Sequence, residues 1–378
     1  MTIRRIITLL PIRFPTDKAY GVTVAETMKA ALTLGYQAEV WCTSDVASVQ
    51  EGFMVKRITS NFRGSKNRFA ERFFFEWNRL LFIVKVVYKM PNSESILIWC
   101  RDPVLSLCIA FVRRRVKVCL ELHHPPSQLD TTIFRAIVAF MSVDQDTFKI
   151  FTLTNKLSEN MHTCFQPFFA GSIHMAAPKT FFSLSKVDAD DNQLVLGYVG
   201  KAYSSGNDNK LGDLISLFQQ EAKNFPQLKL ELLGIEKKFG NELLRLVDSS
   251  QFKSSRIEIV GHLSRDQLKE RLQRIAIGIV PYASTSYNDF RFPIKIVEYA
   301  AAECALLLSD TANLRLIVGN AGTYFELSSQ ESFHAALVEL TEGAVSLRSA
   351  QKRARIWAQE FTYEKRIETV LDKFKNGR

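Results

Sequence analysis

Six cysteines (Cys42, Cys100, Cys108, Cys119, Cys164 and Cys304) are scattered through 378 residues without one C-x-x-C pair, and most fall in apolar runs. That spacing argues against disulfide frameworks and zinc sites, and for buried thiols in a reducing cytoplasm. The Asp, Glu and His spacings of metal sites are missing too. No apolar run reaches membrane length. The run at 3–10 is too short and too quickly interrupted for a signal sequence or a span, which argues against an exported binding protein. Glycine (17) and proline (11) are modest, and neither low-complexity tracts nor repeats are visible. What remains is a globular composition, 47% apolar and 23% charged, in a chain too long for one core.

Charge is unevenly placed. Residues 1–180 hold 23 Lys and Arg against 14 Asp and Glu, while the remainder is nearly balanced at 26 against 25. The bland reading is a solvated basic surface; the sharper ones are an anionic partner for the first half, either lipid or nucleic acid. No nucleic-acid module is recognisable and the basic residues are interleaved with bulky aliphatics, so nucleic acid is set aside. Residues 61–89 contain eight aromatics and seven basic residues against two acidic ones. As a helix they align Phe74, Trp77, Leu81, Val84 and Tyr88 in one stripe, flanked by Arg68, Arg72, Arg79 and Lys89. Such a segment suits an anionic bilayer surface. The competing reading is a crossover helix whose stripe is core.

Strand-like runs alternate with helical segments throughout, the pattern of parallel sheets covered on both faces. In the first half the strands are IRRIITLLPI, AEVWCTS, SILIWCRD, VKVCLELHH, FKIFTLT and SIHMAAP, with a long helix over about 66–90. A polar stretch, FSLSKVDADDNQ, reads as a linker. The pattern then restarts with LVLGYVG, LKLELLG, RIEIVGH, IAIGIVPY, ALLLSD and TYFEL. The expected fold is α/β: two Rossmann-like doubly wound domains facing across a cleft. The expected boundaries are 1–180, 190–355, and a closing helix over 356–378. Ligands of such sheets sit at the carboxyl ends of the strands. Fold alone does not choose between a transferase, an epimerase and a binding protein.

Two regions of the second half carry chemistry. In LVLGYVGKAYSSGNDNKLGDLI, Gly200 and Lys201 follow the strand and Lys210 stands at the next helix start. A lysine there opposes the helix dipole unless an anion is bound. The bland alternative is a pair of solvated loop lysines. In FRFPIKIVEYAAAECALLLSD, Pro293 suits the first helical position. Lys295 and Glu298 lie three apart beside a buried strand. A carboxylate there could accept both hydroxyls of a ribose; the alternative is a surface ion pair. In the first half, Arg101 and Asp102 end a strand, either as an ion pair or facing a ligand, and His123 and His124 end another.

Here the residues reach a resemblance. FPIKIVEYAAAECALLLSD resembles the donor-site motif of family 4 retaining glycosyltransferases, and YVGKAYSSGNDNKLGDLI their V-G-K and K-G segments. RIEIVGHLSRDQLKERLQRIAIGIVPY, FPTDKAYGVTVAETMKAALTLGYQAEVWCTSD, SILIWCRDP, VCLELHHPP and ARIWAQEFTYEKRIETVLDKF are similar to further family segments in the same order, covering nearly the whole chain. Two departures stand out. Phe290 occupies the place of a second motif glutamate, with Asp289 out of register. Glu303-Cys304-Ala305 replaces the usual G-x-P.

The resemblance implies a GT-B fold and retaining transfer of a hexose-type sugar from UDP or GDP. The acceptor would be a saccharide or lipid-linked glycan in surface polysaccharide or lipopolysaccharide synthesis. It assigns Glu298 to the ribose, Lys201 and Lys210 to the diphosphate, and His123 to the transferred sugar. Lys295, Gly200, Gly21 and His262 fall on the donor side. Arg68, Arg72, Phe74 and Trp77 fall on the acceptor and membrane side. No cofactor or divalent metal is expected, and the closing helix would cross back to the first domain. The expected location is cytoplasmic, peripheral on the inner face of the plasma membrane. An epimerase or hydrolase on the same fold, or a non-catalytic glycan- or lipid-binding partner, stays open.

Overall fold

The structure is a computed structural model that describes residues 3–16, 19–43, 48–50, 52–59, 68–140, 142–187, 193–204, 207–248, 256–341 and 344–375. It divides into two compact units: residues 1–174 with 363–378, and residues 175–362.

Unit 1 contains strands β1 (Arg5–Arg13), β2 (Gln37–Thr43), β3 (Ser48–Gln50), β4 (Phe53–Thr59), β5 (Ile96–Cys100), β6 (Lys117–Leu122), β7 (Phe148–Thr152) and β8 (Phe169–Ser172). Their order is β3-β4-β2-β1-β5-β6-β7-β8, parallel except for β3 against β4. Helices α1 (Ala19–Thr33), α2 (Arg68–Lys89), α3 (Pro103–Val112), α4 (Gln128–Phe140) and α5 (Asn155–Glu159) connect them, and α14 (Tyr363–Lys375) packs beside α1. Every residue of β5 is buried, as a strand covered on both faces requires. Glu39 and Glu121 break this apolar rule, and each carries a cation: Lys56 lies 3.0 Å from Glu39, and Arg366 2.8 Å from Glu121.

Unit 2 begins with α6 (Lys179–Phe182) and holds β9 (Leu194–Val199), a small ribbon of β10 (Tyr203–Ser204) and β11 (Asn207–Asp208), β12 (Leu228–Leu233), β13 (Ile257–Val260), β14 (Ile275–Val280), β15 (Ala305–Ser309) and β16 (Gly322–Phe325). The six-stranded sheet runs β13-β12-β9-β14-β15-β16, all parallel. Its helices are α7 (Leu211–Glu221), α8 (Lys237–Asp248), α9 (Arg265–Arg274), α10 (Ile294–Ala301), α11 (Ala312–Val318), α12 (Gln330–Thr341) and α13 (Ala344–Ala358).

Three local expectations shift. Phe53–Thr59, unassigned from sequence, is a strand inside the first sheet. The last strand of unit 1 is Phe169–Ser172 rather than SIHMAAP, of which Ala177 makes only an isolated bridge to Thr362. Pro293 caps α10 from outside instead of occupying its first turn. All six cysteines are free thiols; burial pushes those of Cys42 and Cys100 up to about 12.

Candidate functional site

The chain order of the parallel strands reverses between β1 and β5 in unit 1 and between β9 and β14 in unit 2. Crevices form at the carboxyl ends of strands beside such a switch point.

In unit 2 the tips of β9, β12 and β13 are stitched together by backbone. Gly200 donates to the carbonyl of Leu233 at 2.8 Å, and Gly234 to those of Val260 (3.0 Å) and Gly261 (3.1 Å). Gly200 has φ +137°, and a Cβ there would stand 2.7 Å from Lys295 Nζ. Glycine is therefore favoured by conformation, and any side chain there would also have to displace the lysine tip. His262 follows Gly261 and is exposed.

Glu298 and Lys295 are 5% and 9% exposed, so neither belongs to a solvated surface pair. Nor do they bond to each other. Glu298 accepts from Arg265 Nη1 at 2.8 Å. Lys295 Nζ lies over the Tyr198 ring at 3.8 Å and the Tyr282 ring at 5.1 Å. Burial lowers its pKa, opposed by Tyr282. Lys295 thus acts as a buried post beneath Gly200. Arg265 was not singled out from sequence, although it bears the same signal as Lys210. It is a cation in the first turn of a helix, here α9, which Ser264 and Gln267 cap reciprocally.

Lys201 pairs with Glu236, past the tip of β12, and both side chains remain open to solvent. Lys210 has φ 62° at the start of α7, an uncommon conformation for a long side chain. Its Nζ stands 3.4 Å from Asp213 and 3.8 Å from Asp208. It borders an open cleft of about 750 Å³ with Tyr282, Ser309 and Thr311. Among the described residues that lining includes neither Lys201, Glu298 nor His262. The structure therefore joins Gly200 to Lys295, and Glu298 to Arg265, while Lys210 lies toward the tips of β14 and β15. Phe290 ends a short 3-10 turn, and beside it Asp289 accepts from Ser284 at 3.0 Å.

In unit 1 the center of charge is Glu121, 1% exposed on β6. Its Oε1 accepts from Arg366 Nη2 (2.8 Å) and meets His123 Nε2 at 2.6 Å; Oε2 accepts from Trp99 Nε1 at 2.5 Å. Arg101 stands 3.6 Å away. Burial would raise the Glu121 carboxyl, but Arg366, Arg101 and His123 hold it well below the usual range. An ionised carboxylate only accepts, so the His123 nitrogen facing it carries the proton. Nδ1 is left as an acceptor, suited to a hydroxyl and unsuited to a phosphate. Sequence reading named His123 without its carboxylate; the E-x-H spacing places both on one strand edge, since side chains two apart share a face.

Burial, reinforced by Arg101, lowers the His123 pKa from 6.5 to about 4. Between those values the unfolded chain binds a proton that the folded chain does not, so stability rises with pH across the window and is lost as pH falls through it. The full shift corresponds to roughly 3 kcal/mol at most. The urea midpoint should fall more steeply between pH 6.5 and 4.5 in the wild type than in His123→Asn. Equal slopes would remove His123 as the source. The groups that face it are Glu121, Arg101 and Arg366.

Arg101 and Asp102 do not pair with each other. Asp102 caps α3, accepting from Leu105 N at 2.9 Å, and takes two bonds from Arg79 at 2.6 and 2.9 Å. Gly21 lies in the first turn of α1, and a Cβ there would meet Thr16 O at 2.3 Å. Its role visible in the fold is to admit that loop.

On α2 the aromatic stripe is outside: Phe74, Trp77 and Tyr88 are 38%, 50% and 84% exposed. The core contact is made by another face, through Phe82, Ile83 and Val86. The crossover-helix reading therefore applies to a different set of residues. The side chains of Arg68 and Arg72 lie outside the described residues. Among the described residues no helix is long and apolar enough to cross a membrane, and no group of three or more His, Cys, Asp or Glu is placed around a metal position.

The whole chain has the GT-B glycosyltransferase fold. It superposes on sucrose-phosphate synthase from Thermosynechococcus elongatus with TM-score 0.70 at 14% identity, covering 98% of each chain. A glycosyltransferase from Rickettsia africae gives the same four values. HepE of Anabaena, in complex with UDP and glucose, gives TM-score 0.67 at 14% identity, over 99% of this chain and 100% of that one. Residues 193–343, most of unit 2, match the family described as glycosyl transferases group 1. No curated protein matches the chain in sequence.

Proposed function

We propose that this chain moves a hexose-type sugar from UDP or GDP to a glycan or lipid-linked acceptor with retention of configuration, in surface polysaccharide or lipopolysaccharide synthesis. The observation that carries the reading is Glu298, a buried carboxylate on the first helix after the β14 switch-point tip, within the group 1 segment. The fold shared with HepE, whose structure holds UDP and glucose, supports it.

In this reading Glu298 accepts the ribose hydroxyls, and Lys201 and Lys210 stabilise the charge that grows on the departing diphosphate. Each already faces carboxylates (Glu236, Asp208 and Asp213), which diphosphate would have to displace or share. The bond from the sugar's anomeric carbon to the phosphate oxygen breaks while the acceptor oxygen attacks the same face. The acceptor's proton passes to the departing phosphate, so no separate base is needed. His123, neutral, offers Nδ1 to a sugar hydroxyl.

The test is release of nucleoside diphosphate from a panel of nucleotide sugars in EDTA. Release that needs acceptor, with an axial or equatorial product linkage matching the donor, is expected. Turnover without acceptor would favour an epimerase or hydrolase, and absence of nucleotide binding would leave a glycan-binding partner.

The exposed face of α2, with Lys85 and Lys89 beside it, further supports peripheral attachment at the inner face of the plasma membrane. The protein should sediment with phosphatidylglycerol vesicles and not with phosphatidylcholine ones, and Trp77→Glu should release it. Equal sedimentation of the variant would remove this part of the reading.

A further inference from the structure

At the switch point of unit 1 lies an open cleft of about 720 Å³, within the roughly 300–1,000 Å³ range of small-molecule sites. One side is ionic. Arg79 projects from α2 and gives Nε and Nη2 to Asp102 at 2.6 and 2.9 Å, Nη2 also to Asp130 at 2.7 Å, and Nη1 to Glu76 at 3.3 Å. Burial opposes the charge on this guanidinium, but Asp102 and Asp130 outweigh it and raise its pKa. Four of its five donors are thus already given to carboxylates, and three acids surround this base. A phosphate or carboxylate head would meet repulsion there. A hydroxyl-rich, uncharged head would find carboxylate oxygens with lone pairs to spare.

The lining also contains apolar Leu10, Pro11 and Ile12 at the end of β1. The mouth is apolar too. Phe75 of α2 and Leu129 of α4 line the cleft and are 48% and 52% exposed. The Arg79–Asp130 bond ties these two helices together beside the mouth. On α4 a second exposed apolar side chain, Phe140, lies on the same helix face as Leu129. Arg101, also in the lining, faces Glu121 at 3.6 Å, so the cleft adjoins the carboxylate that holds His123.

We propose that this cleft binds an amphiphilic glycan: an uncharged saccharide head over Asp102 and Asp130, with an apolar chain leaving across Phe75 and Leu129. Its role as an acceptor site rests on the transferase reading; the binding itself does not.

The experiment titrates the full chain by calorimetry with octyl glucoside below its micelle threshold, with methyl glucoside, and with octyl sulfate. Octyl glucoside should bind at least about tenfold more tightly than either control, since chain and head each contribute. The double variant Phe75→Ala/Leu129→Ala changes only exposed side chains. It should weaken octyl glucoside about five- to tenfold and leave methyl glucoside unchanged. Asp130→Asn, with its unfolding midpoint recorded in parallel, should weaken both glucosides. Octyl sulfate binding as tightly as octyl glucoside would overturn the proposal, as would no effect of the double variant or no binding of octyl glucoside. UDP binding measured on the same sample separates the two readings. If UDP binds and octyl glucoside does not, the cleft proposal alone fails.

Discussion

Glu298→Ala is expected to lower the affinity for the recognised nucleoside diphosphate about a hundredfold, with the fold retained. Hydrogen bonds to a charged group are worth about 1.5–3 kcal/mol each, and losing a ribose pair of them amounts to roughly 3 kcal/mol, or about two decades in Kd. The fold should survive because Arg265 is not stranded: it stacks over Phe181 at 4.8 Å, and its side chain is 35% exposed and can reach water. Calorimetry with the 2′,3′-dideoxynucleotide makes the test specific. Wild type should lose the same hundredfold on the dideoxy ligand, and the variant should not distinguish the two. A variant that still discriminates would place the ribose elsewhere, while leaving the family match over 193–343 untouched.

The second large effect is on stability. Arg366→Met should destabilise unit 1 by about 3–5 kcal/mol, because it leaves Glu121 ionised and buried without its principal counter-charge. Arg101, 3.6 Å off, and neutral His123 are poor substitutes. The double variant Arg366→Met/Glu121→Leu should recover part of the loss, since it removes the unpaired carboxylate but leaves Trp99 Nε1, His123 and Arg101 without their acceptor. Urea unfolding at pH 7 measures both. A single-variant loss under about 1 kcal/mol would mean that water reaches Glu121.

The alternation of strands and helices, the restart of the pattern after the linker, and the position of α10 were legible because parallel sheets impose continuous apolar runs. β4 was not, since FMVKRIT carries two cations and mixes buried with exposed positions. Lys201 and His123 were visible as charged or titratable groups just past apolar strands, Lys210 as a cation at a helix start, and Glu298 as an acid on the helix before a buried strand. Their partners were not. Arg265 lies 33 positions from Glu298, and Arg366 lies 245 from Glu121; only the fold brings them together. Spacing had suggested Lys295 beside Glu298, but neighbours on one helix turn meet only when nothing nearby competes. Here tyrosine rings on one side and an arginine on the other do compete. The α2 stripe shows the reverse case. Amphipathicity revealed an apolar face correctly but could not say that a second face, around Phe82 and Val86, faces the sheet.

Unit 1 is discontinuous in sequence: the chain leaves it after residue 174, builds all of unit 2, and supplies Arg366 only on its return. During synthesis, unit 2 has its whole sequence available before unit 1 does. Until residue 366 is made, a nascent unit 1 must hold the Glu121 charge with no arginine from α14 to meet it. The order of maturation is therefore expected to run against the order of translation, with the second domain closing first and the first domain completed by its last helix.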